Sequence, residues 1–362
     1  MSVVELEARI AALPFEARAA AARIYAISTT TGTLVPPDAM RPWIEKLFGS
    51  VEAVRSQRIV RVTDLVTLDG ALFNGLRAMR PMAVPPASAH DLAETIRATA
   101  GDPFCTVETG TPADDFGRVR GGHSITASNV AKYDGYHGVL VFDGHDPLVP
   151  MDRAAIADHL ATARKWAEAA VGRDPTAPYY FLMWNCLWRA GGSIVHGHMQ
   201  MTTTHGMHYP KVERLRRSAA DYRSRHGRGY FDDLWLVHEA LGLGVAVDGA
   251  RVFATLTPVK EREVVIQGAP GEGEDTIAAG IAHALASLRG LGVVAHDLAL
   301  YLPPLADDGT DWSGFPAVAR LVDRGDPGNR TCDIGSMELY AASVIASDPF
   351  MVAAALRAGS GR

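Results

Sequence analysis

Apolar and polar positions follow two rhythms along this chain, and the switches between them mark its elements. Residues 137–142 (His-Gly-Val-Leu-Val-Phe) and 179–184 (Tyr-Tyr-Phe-Leu-Met-Trp) are short apolar runs that predict buried strands. Between them Ile156, Leu160, Ala163, Trp166 and Ala170 recur at helical spacing, predicting a helix at about 152–171. The second run leads into the stretch 184–200, whose core, His196-Gly197-His198-Met199-Gln200, reads as a strand preceded by the loop Gly191-Gly192-Ser193. On it His196, His198 and Gln200 point one way, and Val195, Gly197 and Met199 the other. The rhythm then repeats. A strand at 263–267, a turn from Gly268, a helix at 275–289 striped by Ile277, Ile281, Leu285 and Leu288, and a strand at 297–302 copy the same order. The second copy has no histidine pair, so the pattern predicts a degenerate internal duplication.

Elsewhere the pattern predicts an Ala-rich helix over 4–28, broken around Pro14, and a loop from Ser28 into Pro36-Pro37. A helix near 39–56 and a β-branched strand at 58–68 follow, then a Pro-rich loop at 81–89. Asp102-Pro-Phe-Cys105 is a tight turn, and 116–119 and 124–129 read as strands. The arginine-dense segment 211–230 reads as a solvated helix and loop. A helix or strand spans 234–243, a strand spans 250–256, and an amphipathic helix spans 337–346.

Composition narrows the function classes. The chain has 362 residues, 48% hydrophobic and 21% charged, enough for a large core. A net charge of −6 argues against a general nucleic-acid binder, while leaving room for a local phosphate pocket. Cys105, Cys186 and Cys332 are odd in number and far apart, which predicts free thiols and a cytoplasmic protein. The N-terminal stretch reads as an acidic amphipathic helix and not a leader, and no apolar run is long enough to span a membrane.

Three chemistries suit the 184–200 stretch. A neutral imidazole nitrogen of His198 can attack phosphorus, with Gln200 on the same face binding non-bridging oxygens and backbone N–H groups at Gly191, Gly192 and Ser193 stabilising charge. Alternatively, His196 and His198 ligate one metal ion, with His145, Cys105 and Asp102 completing the site. The third reading is a structural strand with satisfied histidines. Spacing alone leaves the three open.

The same stretch resembles the galactose-1-phosphate uridylyltransferase branch of the histidine-triad superfamily, whose transferases carry His-x-His-x-Gln. Asn185, Gly191 and Ser193 fall at the offsets of that family's phosphate-contacting residues, and Arg77-Ala-Met-Arg80-Pro resembles its arginine motif. Asp102-Pro-Phe-Cys105 resembles its zinc turn, His145 stands where it has a zinc histidine, and Asn129 where it has a nucleotide-contacting Asn. Glu338 matches a sugar-contacting Glu.

The resemblance implies an α+β, HIT-like fold of antiparallel sheets with packed helices, in two tandem units, the second degenerate. Residues 1–69 would be an N-terminal extension, 70–210 the first unit and 211–362 the second. It implies a ping-pong nucleotidyltransferase: His198 takes a nucleoside monophosphate from a nucleotide or nucleotide-sugar and passes it to a phosphorylated acceptor, with Gln200 on the α-phosphate. A phosphorylase of the dinucleoside-polyphosphate or nucleoside-diphosphate-sugar type, with inorganic phosphate as acceptor, is the alternative. A metal-dependent hydrolase using His196 and His198, and a catalytically inactive nucleotide-binding protein, stand behind it. The chemistry needs no cofactor. A structural zinc would sit at Asp102, Cys105, His145 and His196, weakened by Asp in place of the family's first Cys. Val130 replaces its ribose-binding Asp, and its second metal site has no counterpart here. A homodimer is among the expected arrangements; nucleic-acid and membrane partners are not.

Overall fold

The computed structural model describes residues 1–79, 92–268 and 274–359; Arg80 and the loop expected at 81–89 lie outside the described residues. Strands β1 (Tyr25–Thr33), β2 (Ser56–Asp64) and β3 (Gly70–Phe73) come first. Then follow β4 (Ser124–Ser128), β5 (Tyr136–Phe142), β6 (Tyr179–Cys186) and β7 (His198–Thr204). The C-terminal part contributes β8 (Gly244–Val247), β9 (Ala250–Ala254), β10 (Val264–Gln267), β11 (Ala295–Tyr301), β12 (Val318–Gly325) and β13 (Ser343–Ile345). They form a four-stranded sheet, β1-β2-β3-β13, and a nine-stranded sheet, β4-β5-β7-β6-β11-β12-β10-β9-β8. All pairs in the larger sheet are antiparallel.

Apart from the edge strand β8, the larger sheet is symmetric about the seam between β6 and β11. One lateral row runs Val139, Gln200, Met183, Ala299, Arg320, Val265 across six strands. Each half therefore places its strands in the same order and register around a shared centre, Met183 opposite Ala299. Counting outward along the strands, His198 corresponds to Val318, Gln200 to Arg320, and His137 to Glu263.

Helices Arg153–Arg173 and Glu274–Gly290 touch each other and cover one face of the sheet. Ile156, Leu160, Ala163 and Trp166 of the first are at most 1% exposed, and they pack with Leu140, Met199 and Met201. Burying one such aliphatic side chain contributes about 1.5–3 kcal/mol. Strand alternation sends Val139, Val141, His198 and Gln200 to the opposite face, where Ala127, Val139 and Val141 form a small cluster under Phe104 and Val107.

Several expected boundaries shift. The N-terminal helix stops at Ile24, and the loop expected from Ser28 is the second half of β1, in nine-residue register with β2. Its threonines are β-branched and its outer face is wet, so a polar run forms a strand. β2 ends at Asp64, whose carboxylate takes the N–H groups of Val66 and Thr67 and turns the chain. Residues 116–119 form no strand; only single bridges, Asp114–Gly117 and Arg120–Ile125, occur there. The helix expected over 337–346 ends at Tyr340, and Ser343–Ile345 pairs parallel to β3. The 211–230 segment is the helix Pro210–His226 followed by the start of the helix Tyr230–Ala240, which accounts for 234–243. No helix among the described residues is long and apolar enough to cross a membrane.

Candidate active site

β7 begins at His198, not at His196. His196 lies in the loop before it, 3% exposed, and its Nε2 donates to the Phe142 carbonyl at 2.8 Å. The residue between the two histidines has to be glycine: a β-carbon at Gly197 would come 2.5 Å from Cδ2 of Phe142. Phe142 also donates its N–H to the Gly197 carbonyl, so ring and backbone lock the loop to β5.

His198 is 6% exposed, and its Nδ1 lies 2.8 Å from the His196 carbonyl oxygen. A carbonyl only accepts, so the ring proton sits on Nδ1 and Nε2 carries the lone pair. Burial pushes this imidazole below its ordinary pKa, which keeps it neutral. The Phe104 ring meets it edge-on at 5.1 Å. Beside His198 a cavity of about 290 Å³ opens between Phe104, Thr111, Asn129, Val139, Ser193 and Gln200. Among the described residues, no acidic, lysine or arginine side chain lines it.

The loop 187–197 brings Ser193 to this cavity. Leu187 starts it at φ 71°, ψ 166°, a conformation that non-glycine residues occupy at a cost of about 1–3 kcal/mol. Gly192 lies against the chain, since a β-carbon there would come 2.7 Å from the Asn185 carbonyl oxygen. The N–H groups of Gly191 and Gly192 bond to the Trp188 and Leu187 carbonyls. That corrects the expectation that they serve an anion: of the three loop residues named from the sequence, Ser193 is the one that lines the cavity. Asn185 does not line it; it stands opposite Asp297 across the β6–β11 seam.

Gln200 has two partners that sequence reasoning missed. The Tyr133 hydroxyl donates to its Oε1 at 2.9 Å, and His137 Nε2 lies 2.9 Å from the same oxygen. The signal was available in part: His137 shares strand parity with Val139 and Val141, the neighbours of Gln200 and His198. Phe104, inside the Asp102–Cys105 turn, was likewise unassigned, yet it packs on both histidines.

Asp102, Cys105, His145 and His196 converge, with one donor atom from each within 4.8 Å of all the others. Cys105 Sγ lies 3.4 Å from His145 Nδ1 and 3.5 Å from His196 Nδ1, and the two Nδ1 atoms are 3.3 Å apart. Both rings approach a backbone carbonyl through Nε2, Ile96 for His145 and Phe142 for His196, so both Nδ1 atoms present lone pairs. Two facing lone pairs at that distance repel unless a cation lies between them. Asp102 Oδ2 is buried with no hydrogen-bond partner among the described residues, while Oδ1 caps the turn through Phe104 and Cys105 N–H. These spacings fit tetrahedral ligands at about 2.0–2.3 Å from a zinc ion.

Arg77 and Glu338 are not brought to His198. They line a separate cavity of about 590 Å³ together with Arg189, Lys260, Arg324 and Asp333. Arg324 there bonds both Asp297 and Asp333, and burial pushes Asp297 up to about 6.

No family model matches the chain, and no curated protein matches it. Solved structures do. The chain is similar to an ADP-glucose phosphorylase from Arabidopsis thaliana with bound ADP-glucose, at TM-score 0.62 and 15% identity over 82% of this chain and 96% of that one. It is similar to a galT-like protein from the same plant at 0.58 and 16%, over 82% and 97%. A uridylyltransferase structure matches at 0.56 and 15%, over 83% and 98%. The fold is therefore α+β, as the sequence predicted, and it is the fold of the galT-like protein and the uridylyltransferase.

Proposed function

We propose that the chain is a nucleotidyltransferase working through a covalent His198–nucleoside monophosphate. One observation carries this reading: the His198 proton is tied to the His196 carbonyl, leaving a neutral Nε2 at a cavity it shares with Gln200, Asn129 and Ser193.

The Nε2 lone pair attacks the α-phosphorus of a bound nucleotide. The P–N bond forms as the bond to the leaving phosphate or sugar phosphate breaks, and the leaving oxygen keeps that electron pair. Positive charge developing on the ring is offset through Nδ1–H and the His196 carbonyl. Gln200, Asn129 and Ser193 offer hydrogens to the non-bridging oxygens. An acceptor phosphate oxygen then attacks the same phosphorus, the P–N bond breaks, and the ring returns neutral. No proton has to leave His198 in either half, and position 200 offers no ionisable acid, which favours transfer over hydrolysis.

Inorganic phosphate as acceptor is the second reading, supported by the fold shared with an ADP-glucose phosphorylase. Offering inorganic phosphate and sugar phosphates to protein preloaded with an α-labelled nucleotide separates the two. His198 is outside the four-donor cluster, which speaks against a hydrolase using both histidines as ligands. Asp102, Cys105, His145 and His196 would hold a zinc ion. When bound, it would cross-link the 102–105 turn to the loop before β7, a structural role. Arg77 and Glu338, in their separate cavity, are proposed as phosphate- and acceptor-side residues, and Asn185 as a support for the phosphate loop. We read residues 70–210 and 211–362 as tandem units, preceded by an extension at 1–69; the symmetric strand order supports this.

A further inference from the structure

We propose that His137 is a positioning residue whose ring proton, carried on Nε2, turns the amide hydrogens of Gln200 into the cavity and leaves those of Asn129 free for it. The inference rests on the phosphoryl-transfer reading above and adds what makes an uncharged cavity a phosphate site.

The tautomer follows from one contact. His137 Nδ1 lies 3.4 Å from the backbone nitrogen of Tyr133, and that N–H can only donate. Nδ1 therefore holds the lone pair and Nε2 the proton. The proton goes to Gln200 Oε1 at 2.9 Å, joined there by the Tyr133 hydroxyl at 2.9 Å. With its oxygen held twice, the Gln200 amide can place only its NH₂ towards the cavity. Asn129 is fixed in the same sense. Its Oδ1 accepts the Ala131 N–H at 3.0 Å, and its Nδ2 lies 3.2 Å from a His137 Nε2 that already carries hydrogen. No bond forms between those two donors, so the Asn129 hydrogens are left for the cavity. Reversing the His137 tautomer would turn the Gln200 oxygen to the cavity and draw an Asn129 hydrogen onto Nε2, away from an anion.

The clamp is built rather than incidental. His137 is fully buried, and the Tyr133 ring lies over it at 4.0 Å. The corresponding position in the other half of the sheet is also half of a bonded pair: Glu263 accepts from Arg320 where His137 donates to Gln200. Lys132, Asp114 and Asp134 are the charged groups that face the ring. Burial, with Lys132 assisting, lowers the His137 pKa against the opposing pull of Gln200 and the two aspartates. A proton added at Nδ1 would point at the Tyr133 N–H, so the clamp opens on the acid side only.

The first test needs no nucleotide. In histidine-¹⁵N-labelled full-length protein, long-range ¹H–¹⁵N correlation should show His137 as the Nε2–H tautomer at pH 7.5, shifted by Gln200→Leu. An Nδ1–H tautomer, or a signal indifferent to Gln200→Leu, overturns the inference. The second is a double-mutant cycle on the rate of His198 labelling by ADP-glucose or UDP-glucose. His137→Phe should slow labelling at least about tenfold in the parent and less than about twofold in Gln200→Ala, with partial rescue by His137→Gln. Equal slowing in both backgrounds marks a merely structural role and overturns it. Failure of the parent protein to label would remove the reaction reading, while the tautomer measurement would still decide the clamp.

Discussion

Gln200 of β7 and Arg320 of β12 occupy the same place in the two halves of the nine-stranded sheet. Each stands one strand from the seam, beside Met183 and Ala299 respectively. In the first half the face carrying Gln200 opens into the cavity with His198. In the second, Val318 holds the histidine position and that face is filled by Tyr230, Phe231, Leu234 and the Asp64–Asp69 turn, leaving about 50 Å³. Arg320 pairs there with Glu263, which is 2% exposed. Removing one partner of such a pair strands a buried charge. Arg320→Met should therefore cost about 3–5 kcal/mol in denaturant unfolding, and the double variant Glu263→Leu/Arg320→Met should recover most of it. Equal stability of the single variant and the parent would contradict the placement.

Gly197→Ala tests the lock between the loop and β5. The added methyl meets the Phe142 ring, which stacks on His159 and abuts Trp184 and so has little room to yield. A loss of about 1–3 kcal/mol is expected. His198 labelling should fall more than the folded fraction does, because the His196 carbonyl moves with residue 197.

The four-donor cluster predicts about one zinc per chain by elemental analysis of protein purified without chelator. His145→Ala should lose the metal and lower Tm, because binding free energy at a preformed site adds to folding. Asp102→Cys should tighten zinc retention against a competing chelator, since thiolate is the softer donor. Parent protein free of zinc after growth with added zinc would contradict the lone-pair argument.

Acid should unfold this protein through its buried histidines. Burial pushes His159, His208, His238 and His296 down to about 4, against 6.5 when exposed. Below pH 6.5 the unfolded chain takes up protons that the folded chain refuses, so stability is full above 6.5 and is lost as pH falls towards 4. Each contributes up to about 1.4 kcal/mol per pH unit in that window. Asp297 works the other way, binding its proton first in the folded chain. Denaturant titrations from pH 7.5 to 4.5 should show the loss, and His238→Phe should flatten it. A pH-independent midpoint would contradict it.

What was legible in the sequence was what neighbouring residues decide. The helix at 152–171 and the strands on either side of it follow from local periodicity, and Asp102, Cys105, His145 and His196 do converge. What was not legible depends on partners far along the chain. β13 is three residues long and makes sense only beside β3, some 270 positions earlier. The loop expected at Ser28 is a strand because β2 pairs with it, not because of its own hydrophobicity. The Gly191 and Gly192 N–H groups bond inside their own loop, which composition does not reveal. Arg77 and Glu338 resemble family residues in order, but their shared cavity is separate from that of His198, and no spacing rule separates the two.

The most direct test of the account is intact-mass and peptide mass spectrometry of the protein after mixing with ADP-glucose, UDP-glucose or a dinucleoside polyphosphate. An acid-labile gain of one nucleoside monophosphate is expected, mapped to His198, absent in His198→Asn and discharged by an acceptor phosphate. No adduct with any donor, or an adduct that persists in His198→Asn, would contradict it.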